Sequence, residues 1–164
     1  MFSRFRSCVL VSMFCVWSSA GLAVEDPVIA VIVSALSANA VSVSVGDLAS
    51  IYWRKTLYNA HGKPLHPVNL FAEHPLRVRF SQQVLHSHPK SQLGYWNGLY
   101  FNGVLPPYTV QSEEAMLRYV ADTENAVGYV DACKVDLRVR AVLWVSNGKV
   151  LTESPMLHCE TLNP

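Results

Sequence analysis

Six consecutive apolar residues at positions 28–33 (VIAVIV) constrain the fold of this chain more than any other feature. Five of the six are β-branched, and no polar residue interrupts them, which is typical of a strand buried on both faces in the middle of a sheet. Helical and strand patterns then follow in turn along the chain. This order predicts a single α/β sandwich, with a small mixed sheet flanked by about four helices.

The helices are expected to begin at Ser44, Pro75, Ser87 and Ser112, because each of these residues suits the start of a helix. On the third helix, Leu93, Trp96 and Tyr100 are expected to face inward. Further strands are predicted at residues 65–71, 126–130, 135–145 and 149–153, with the last two joined as a C-terminal hairpin by the Asn147-Gly148 turn.

The first 23 residues have the three zones of a bacterial export signal. Arg4 and Arg6 precede an apolar run over residues 8–17, and small residues lead up to Ala23. The alternative is a membrane anchor, but the run is shorter than the roughly 20 residues that span a bilayer. We therefore expect cleavage after Ala23, a mature domain over residues 24–164 that does not span a membrane, and a periplasmic location.

Cys133 and Cys159 are the two cysteines outside the predicted signal. In an oxidising compartment such a pair is expected to form a disulfide that holds the C-terminal segment onto the domain. Two free buried thiols are the alternative. A redox role is not expected, because the two residues are not in a Cys-x-x-Cys spacing.

The charge balance argues against nucleic acid as a partner. Loss of Arg4 and Arg6 with the signal reduces 13 basic side chains to 11, against 12 acidic ones, which gives the mature chain a net charge of −1. A nucleic-acid-binding domain is normally basic.

No sequence motif predicts an enzyme or a cofactor. The sequence has no nucleophile elbow, glycine-rich phosphate loop or paired-acid motif. His86 and His88, with His66 and His74, do not have the rigid, closely spaced arrangement of a metal site, so we expect them in surface loops.

Three segments resemble, in order and spacing, the periplasmic phosphate-binding proteins of ABC transporters. They are DLASIYWRK (47–55), PVNLFAEHPLRVRF (67–80) and AVGYVDA (126–132). The resemblance extends from about Val28 to Val145 and is strongest to the short members of this superfamily. It implies one lobe of the type 2 periplasmic-binding-protein fold, a non-enzymatic role, and phosphate or another small oxyanion as the ligand.

The resemblance places the ligand site at the turn between the second strand and the following helix. In the two-lobed phosphate binders this turn reads Arg-Ser-Asp-Gly-Ser-Gly-Thr, whereas here Asn69 replaces the arginine and residues 73–75 (EHP) replace Ser-Gly-Thr. Pro75 removes an amide and Glu73 repels an anion. A protonated His74 and Arg77, one helical turn further, are the residues expected to compensate. The alternative is that Glu73 and His74 serve only as helix-end residues.

Two functions therefore remain open at this point. The first is weak oxyanion binding by Asn69, Glu73, His74 and Arg77, with Ser34 from the loop after the first strand. The second is a protein-interaction or sensory module with a membrane protein of the envelope as its partner, because one lobe offers only half of a closed cleft. A cluster of aromatic residues over 95–108 is expected to be mostly core, with a partner-binding patch as the alternative.

Overall fold

The structure, a computed structural model, describes residues 26–36 and 42–159. The predicted export signal lies outside these ranges, so the cleavage site and the domain boundary at residue 24 stay predictions. Within the described ranges, no helix has the length and apolar character needed to cross a bilayer. The strands are β1 (Ile29–Ser34), β2 (His66–Leu70), β3 (Tyr108–Val110), β4 (Ala126–Asp131), β5 (Val139–Ser146) and β6 (Lys149–Leu151). The helices are α1 (Asp47–Tyr52), α2 (Pro75–Val84), α3 (Leu93–Tyr100) and α4 (Glu113–Asp122), with 3-10 helices at Pro89–Gln92 and Ala132–Lys134.

The strands form one mixed sheet in the order β3-β2-β4-β1-β5-β6. β2 is parallel to both of its neighbours, β3 and β4. β1 is antiparallel to β4 and β5, and β6 pairs with β5 as a hairpin at the sheet edge. The predicted mixed sheet with about four helices and a C-terminal hairpin is confirmed.

Helices cover both faces of this sheet, as two adjacent residues of β4 indicate. A Cβ atom on Gly128 would lie 2.6 Å from the Met116 side chain of α4. The neighbouring Tyr129 ring stacks on Phe80 of α2, with 4.0 Å between ring centroids. Because successive residues of a strand point to opposite faces, α4 covers one face and α2 the other. Every residue of the central strand β1 is buried, as its uninterrupted apolar run predicts.

The prediction of a strand from residue 135 is wrong at its start. β5 begins only at Val139, and Leu137 is 98% exposed. The reason is a local turn, since the Asp136 carboxylate accepts a hydrogen bond from the backbone N–H of Arg138 (2.9 Å) and the Asp136 carbonyl accepts one from Val139 (3.2 Å). Such side-chain bonds compete with strand pairing.

The prediction that α3 faces inward is also wrong. No residue of α3 is buried, and Leu93 and Tyr100 are more than half exposed. One side of the helix contacts the end of α1, where the Tyr95 hydroxyl donates to the Trp53 carbonyl (2.7 Å) and Trp96 stacks on Trp53. This contact explains why the aromatic pattern resembled that of a core helix.

Candidate functional site

The turn predicted as the anion site lies at the carboxyl end of β2. Asn69, the fourth residue of β2, is 4% exposed, and its Oδ1 accepts hydrogen bonds from the Arg77 guanidinium and from the Tyr129 hydroxyl (3.3 Å). The Tyr129 hydroxyl oxygen in turn accepts from the backbone N–H of Leu70 (3.2 Å). The asparagine side chain is therefore engaged inside the protein.

Arg77 points into the protein from the first turn of α2. The residue is 6% exposed, and its guanidinium donates to Asn69 Oδ1 and to Gln92 Oε1 (3.1 Å). Gln92, 1% exposed, is itself held by a hydrogen bond from its Nε2 to the Ser87 carbonyl (3.3 Å). In the part of the chain that the structure describes, none of the ion pairs includes Arg77. The arginine is thus a buried cation held by neutral amides.

The positive end of α2 is capped by its own sequence. His74 is the N-cap residue, and its Nδ1 accepts a hydrogen bond from the backbone N–H of Leu76 (3.2 Å). Pro75, the first helical residue, has no N–H to offer. Two of the first backbone amides of α2, those at positions 75 and 76, are therefore not available to bind an anion.

The electrostatics of this turn do not favour a protonated His74. Burial lowers the pKa of the His74 imidazole; the Glu113 carboxylate opposes this shift and the Lys134 ammonium adds to it. A neutral imidazole is also what the cap requires, because a protonated Nδ1 carries a hydrogen and cannot accept a bond. The expectation that His74 compensates as a cation in mild acid runs against both observations.

Carboxylates border the same turn. Glu73 is exposed, and Glu113 interacts electrostatically with His74 from the start of α4. The Glu113 carboxylate accepts a hydrogen bond from the backbone N–H of Asp131 and pairs with the Lys134 ammonium, both at 2.7 Å. Because the Lys134 ammonium balances Glu113, the exposed Glu73 carboxylate is the negative charge at this turn that disfavours an anionic ligand.

The structure does not bring Ser34 together with the other predicted residues. β1 is antiparallel to β4, and Ser34 lies beyond the pair Ile32–Gly128, beside the start of β4. Asn69, on the parallel strand β2, lies beside the end of β4. The Ser34 hydroxyl donates to the Ala121 carbonyl of α4 (3.1 Å). Its interaction therefore ties β1 to α4.

Sequence reasoning missed the buried partners of Asn69 and Arg77. Tyr129 lies in the AVGYVDA segment, which gave the resemblance but no role for this tyrosine. Burial raises the pKa of Tyr129 to about 12, although the nearby charge of Arg77 lowers it. Its hydroxyl therefore stays protonated and can donate to Asn69. No sequence pattern indicated a role for Gln92, which the sequence places only before α3.

The predicted disulfide between Cys133 and Cys159 is confirmed. The bonded residues have Cα atoms 5.5 Å apart and are separated by 26 positions in sequence. Cys133 lies in the short helix after β4, so the bond ties the segment that follows β6 to the centre of the sheet.

Two surface grooves lie away from the anion turn. A groove of about 440 Å³ runs along β5, between Arg140, Trp144 and Ser42. A smaller groove of about 170 Å³ lies beside β3, with Tyr108 and Tyr119 in its wall. Neither groove is lined by any residue from 69 to 77.

Three solved structures with a similar fold are described in terms of phosphate transport or phosphate binding. An ABC-type phosphate transport receptor from Vibrio cholerae matches with a TM-score of 0.55 and 17% identity, over 70% of this chain and 46% of that one. A protein from Clostridium perfringens, described as a phosphate ABC transporter substrate-binding protein with bound phosphate, matches with a TM-score of 0.56 and 20% identity, over 72% of this chain and 46% of that one. A possible phosphate binding protein from Planctomyces limnophilus matches with a TM-score of 0.55 and 13% identity, over 80% of this chain and 47% of that one.

The chain spans slightly less than half the length of each of these proteins. A scan against family models finds no match, and neither does a search of curated proteins. The resemblance expected from the sequence is thus confirmed for the fold, which corresponds to one half of such a binding protein.

Proposed function

We propose that this protein is a non-enzymatic lobe that contacts a protein partner in the cell envelope and does not capture phosphate on its own. The observation that carries this proposal is the inward position of Arg77, which bonds to Asn69 and Gln92. In the resembling binders the equivalent turn holds the anion, whereas here its side chains are bonded to one another.

The N-terminus of α2 supports the same conclusion. Tight anion binding at a helix start needs free amides and a positive surrounding. His74 already occupies the Leu76 amide, Pro75 has none, and Glu73 places a carboxylate at the turn. A single lobe also covers a small anion from one side only and leaves it largely hydrated.

Weak oxyanion binding is the second candidate, because one observation favours it. Arg77 is a buried guanidinium without a carboxylate partner among residues 26–36 and 42–159. Buried charges are normally paired. An anion that entered the turn would supply the missing negative charge, if the Asn69 bond opened to admit it.

The envelope location belongs to the same proposal. It is supported by the export-signal pattern of residues 1–23 and by the Cys133–Cys159 disulfide, since disulfides persist mainly in oxidising compartments. The similar solved structures from Vibrio cholerae and Clostridium perfringens are a phosphate transport receptor and a phosphate ABC transporter substrate-binding protein, which supports a binding role over catalysis.

Titration calorimetry with phosphate and with sulfate, between about pH 5 and pH 8, tests the proposal. The wild-type protein should give no saturable heat at millimolar ligand. A matched variant with Glu73→Ser, His74→Gly and Pro75→Thr restores the amides and removes the acid, so it should gain measurable phosphate binding. Saturable micromolar binding by the wild type would overturn the proposal, and weak millimolar binding would favour the second candidate.

The partner half of the proposal needs its own experiment. The oxidised mature protein, immobilised on a resin, should recover a reproducible membrane or envelope protein from solubilised envelope extract of the source cell. Recovery that is equal on a heat-denatured control resin would count against the interaction role.

A further inference from the structure

We propose that two copies of this chain associate through a surface formed by α3, the loop after it and the edge strand β3 (residues 93–110), here named the α3–β3 surface. This inference rests on the proposed function, because it names a partner for a protein-contacting lobe. It involves no residue of the anion turn.

The α3–β3 surface holds five of the ten large apolar side chains that are exposed in the described residues, all within one stretch of sequence. Each of five residues is more than half exposed, and Phe101 reaches 87%; they are Leu93, Tyr100, Phe101, Leu105 and Tyr108. Monomeric proteins rarely leave so much apolar surface in one place without a function for it.

Members of this set adjoin one another, and Leu105 and Tyr108 line the same groove. Leu93 and Tyr100 are seven positions apart on α3 and therefore share one face of the helix. The Tyr100 and Phe101 rings are 6.1 Å apart, and the turn that follows closes with a bond from the Val104 N–H to the Leu99 carbonyl (3.2 Å). This turn carries the chain back to Leu105 and β3.

The stretch that forms the α3–β3 surface carries no charged side chain, which favours a second copy as its partner. Residues 93–112 contain no Asp, Glu, Lys, Arg or His, although 15% of the whole chain is Asp, Glu, Lys or Arg. In a two-fold contact the same patch meets itself, so any charge near the axis would face a like charge. A neutral stretch avoids this repulsion.

The α3–β3 surface contains both a protruding side chain and a groove. The Phe101 ring protrudes, and beside β3 lies the groove of about 170 Å³. The groove is lined by Leu105, Pro107 and Tyr119 and also by Arg54 and His66. In the described part of the chain, β3 pairs only with β2, so its outer edge is free to pair with the same edge of another copy.

The available area is close to what a stable dimer needs. At about 200 Å² for a fully exposed large side chain, the exposed fractions of the five residues amount to roughly 600 Å² per copy. A standard interface buries about 800 Å² per partner. Exposed loop residues between α3 and β3, such as Asn102 and Pro106, can supply the remainder.

Sedimentation analysis of the oxidised mature protein over a range of concentrations tests the dimer. The wild type should show a reversible monomer–dimer equilibrium, and Phe101→Lys should raise the dimer dissociation constant about tenfold or more. Leu137→Lys is the matched control, since Leu137 is 98% exposed but lies outside the surface, and it should change the constant by less than about twofold. Urea midpoints measured at a concentration where the wild type is monomeric should be unchanged, which shows that both variants fold.

Two results would overturn the inference. The first is a wild-type protein that stays monomeric up to millimolar concentration. A monomer that sediments with vesicles of phosphatidylcholine and phosphatidylglycerol counts as the same result. The second is a dimer that Phe101→Lys leaves intact. Either result is distinct from failure of the proposed function, which phosphate calorimetry detects independently of the mass of the particle.

Discussion

Replacement of Asn69 by alanine should lower the free energy of unfolding by about 3–5 kcal/mol. The side chain accepts hydrogen bonds from Arg77 and Tyr129, and all three residues are buried. Its loss removes a bond to a charged group, worth about 1.5–3 kcal/mol, and leaves the Tyr129 hydroxyl without its acceptor, at about 1–3 kcal/mol. The effect is a large share of the roughly 5–15 kcal/mol that stabilises a typical domain.

Asn69→Asp is the informative companion to this change. Aspartate keeps an acceptor oxygen in the same place and adds a negative charge beside the Arg77 guanidinium, which has no carboxylate partner in the described residues. At neutral pH this variant should lose less than half of the stability that the alanine variant loses, because the buried cation gains a counter-charge.

Urea unfolding of the oxidised protein at neutral pH measures both variants, with the slope of the transition checked for constancy. If Asn69→Ala costs less than about 1 kcal/mol, the side chain is not a structural acceptor and the reasoning fails. A ligand role for Asn69 predicts that outcome, with phosphate binding changed instead of stability. Equal losses for the alanine and aspartate variants would show that Asn69 does not serve the charge of Arg77.

Three further predictions follow from packing, covalent linkage and charge. Gly128→Ala should lower the free energy of unfolding by about 1–3 kcal/mol, because its Cβ would lie 2.6 Å from two side chains of α4. Gly94→Ala is the control and should be neutral or stabilising, because nothing lies within 4 Å of its Cβ. Equal urea midpoints for the two variants would contradict the close packing. Replacing Cys133 and Cys159 together by serine should cost about 3 kcal/mol, since the bond closes a loop over a separation of 26 residues, and an unchanged thermal midpoint would contradict this. Hydrogen bonds from two arginines lower the pKa of Glu114 from 4.5 to about 2. The stability that this carboxylate contributes is therefore present above pH 4.5 and is lost as the pH falls towards 2. A carboxyl titration by NMR with a midpoint near 4.5 would contradict the pairing.

Much of the fold could be predicted because several short sequence features have one strong physical meaning. An uninterrupted β-branched run has to be buried, which placed β1 in the middle of the sheet. Pro75 fixes a helix start and Asn147-Gly148 fixes a tight hairpin, and both occur where the sequence indicated.

The missed elements depend on contacts that are distant in sequence. β3 has three residues, two of them exposed, and forms only because β2 offers a parallel edge to it. The exposed face of α3 could not be distinguished from a core face, because aromatic residues at helical spacing fit both. Leu137 alternated as a strand residue should, but the bond between Asp136 and Arg138 turned the backbone away.

The candidate site was predicted less well than the fold, for a geometric reason. Spacing placed Arg77 one helical turn into the helix that follows the Asn69 strand, but spacing does not say whether a long side chain reaches outward or inward. The guanidinium points inward because it bonds to Gln92 and to Asn69, whose Oδ1 also accepts from Tyr129. Gln92 and Tyr129 are both distant from the turn in sequence. The direction of β1, which separates Ser34 from the site, likewise follows from its pairing with β4.

The central claim is that the turn from Asn69 to Arg77 is closed by its own side chains. The most direct measurement is an NMR titration of the isotope-labelled, oxidised mature protein with phosphate at neutral pH, following the backbone amides of Ala72, Glu73, Leu76 and Arg77. A closed turn predicts that none of these signals shifts in a saturable way at millimolar phosphate. Saturable shifts confined to these amides would contradict the account and return the turn to an anion site.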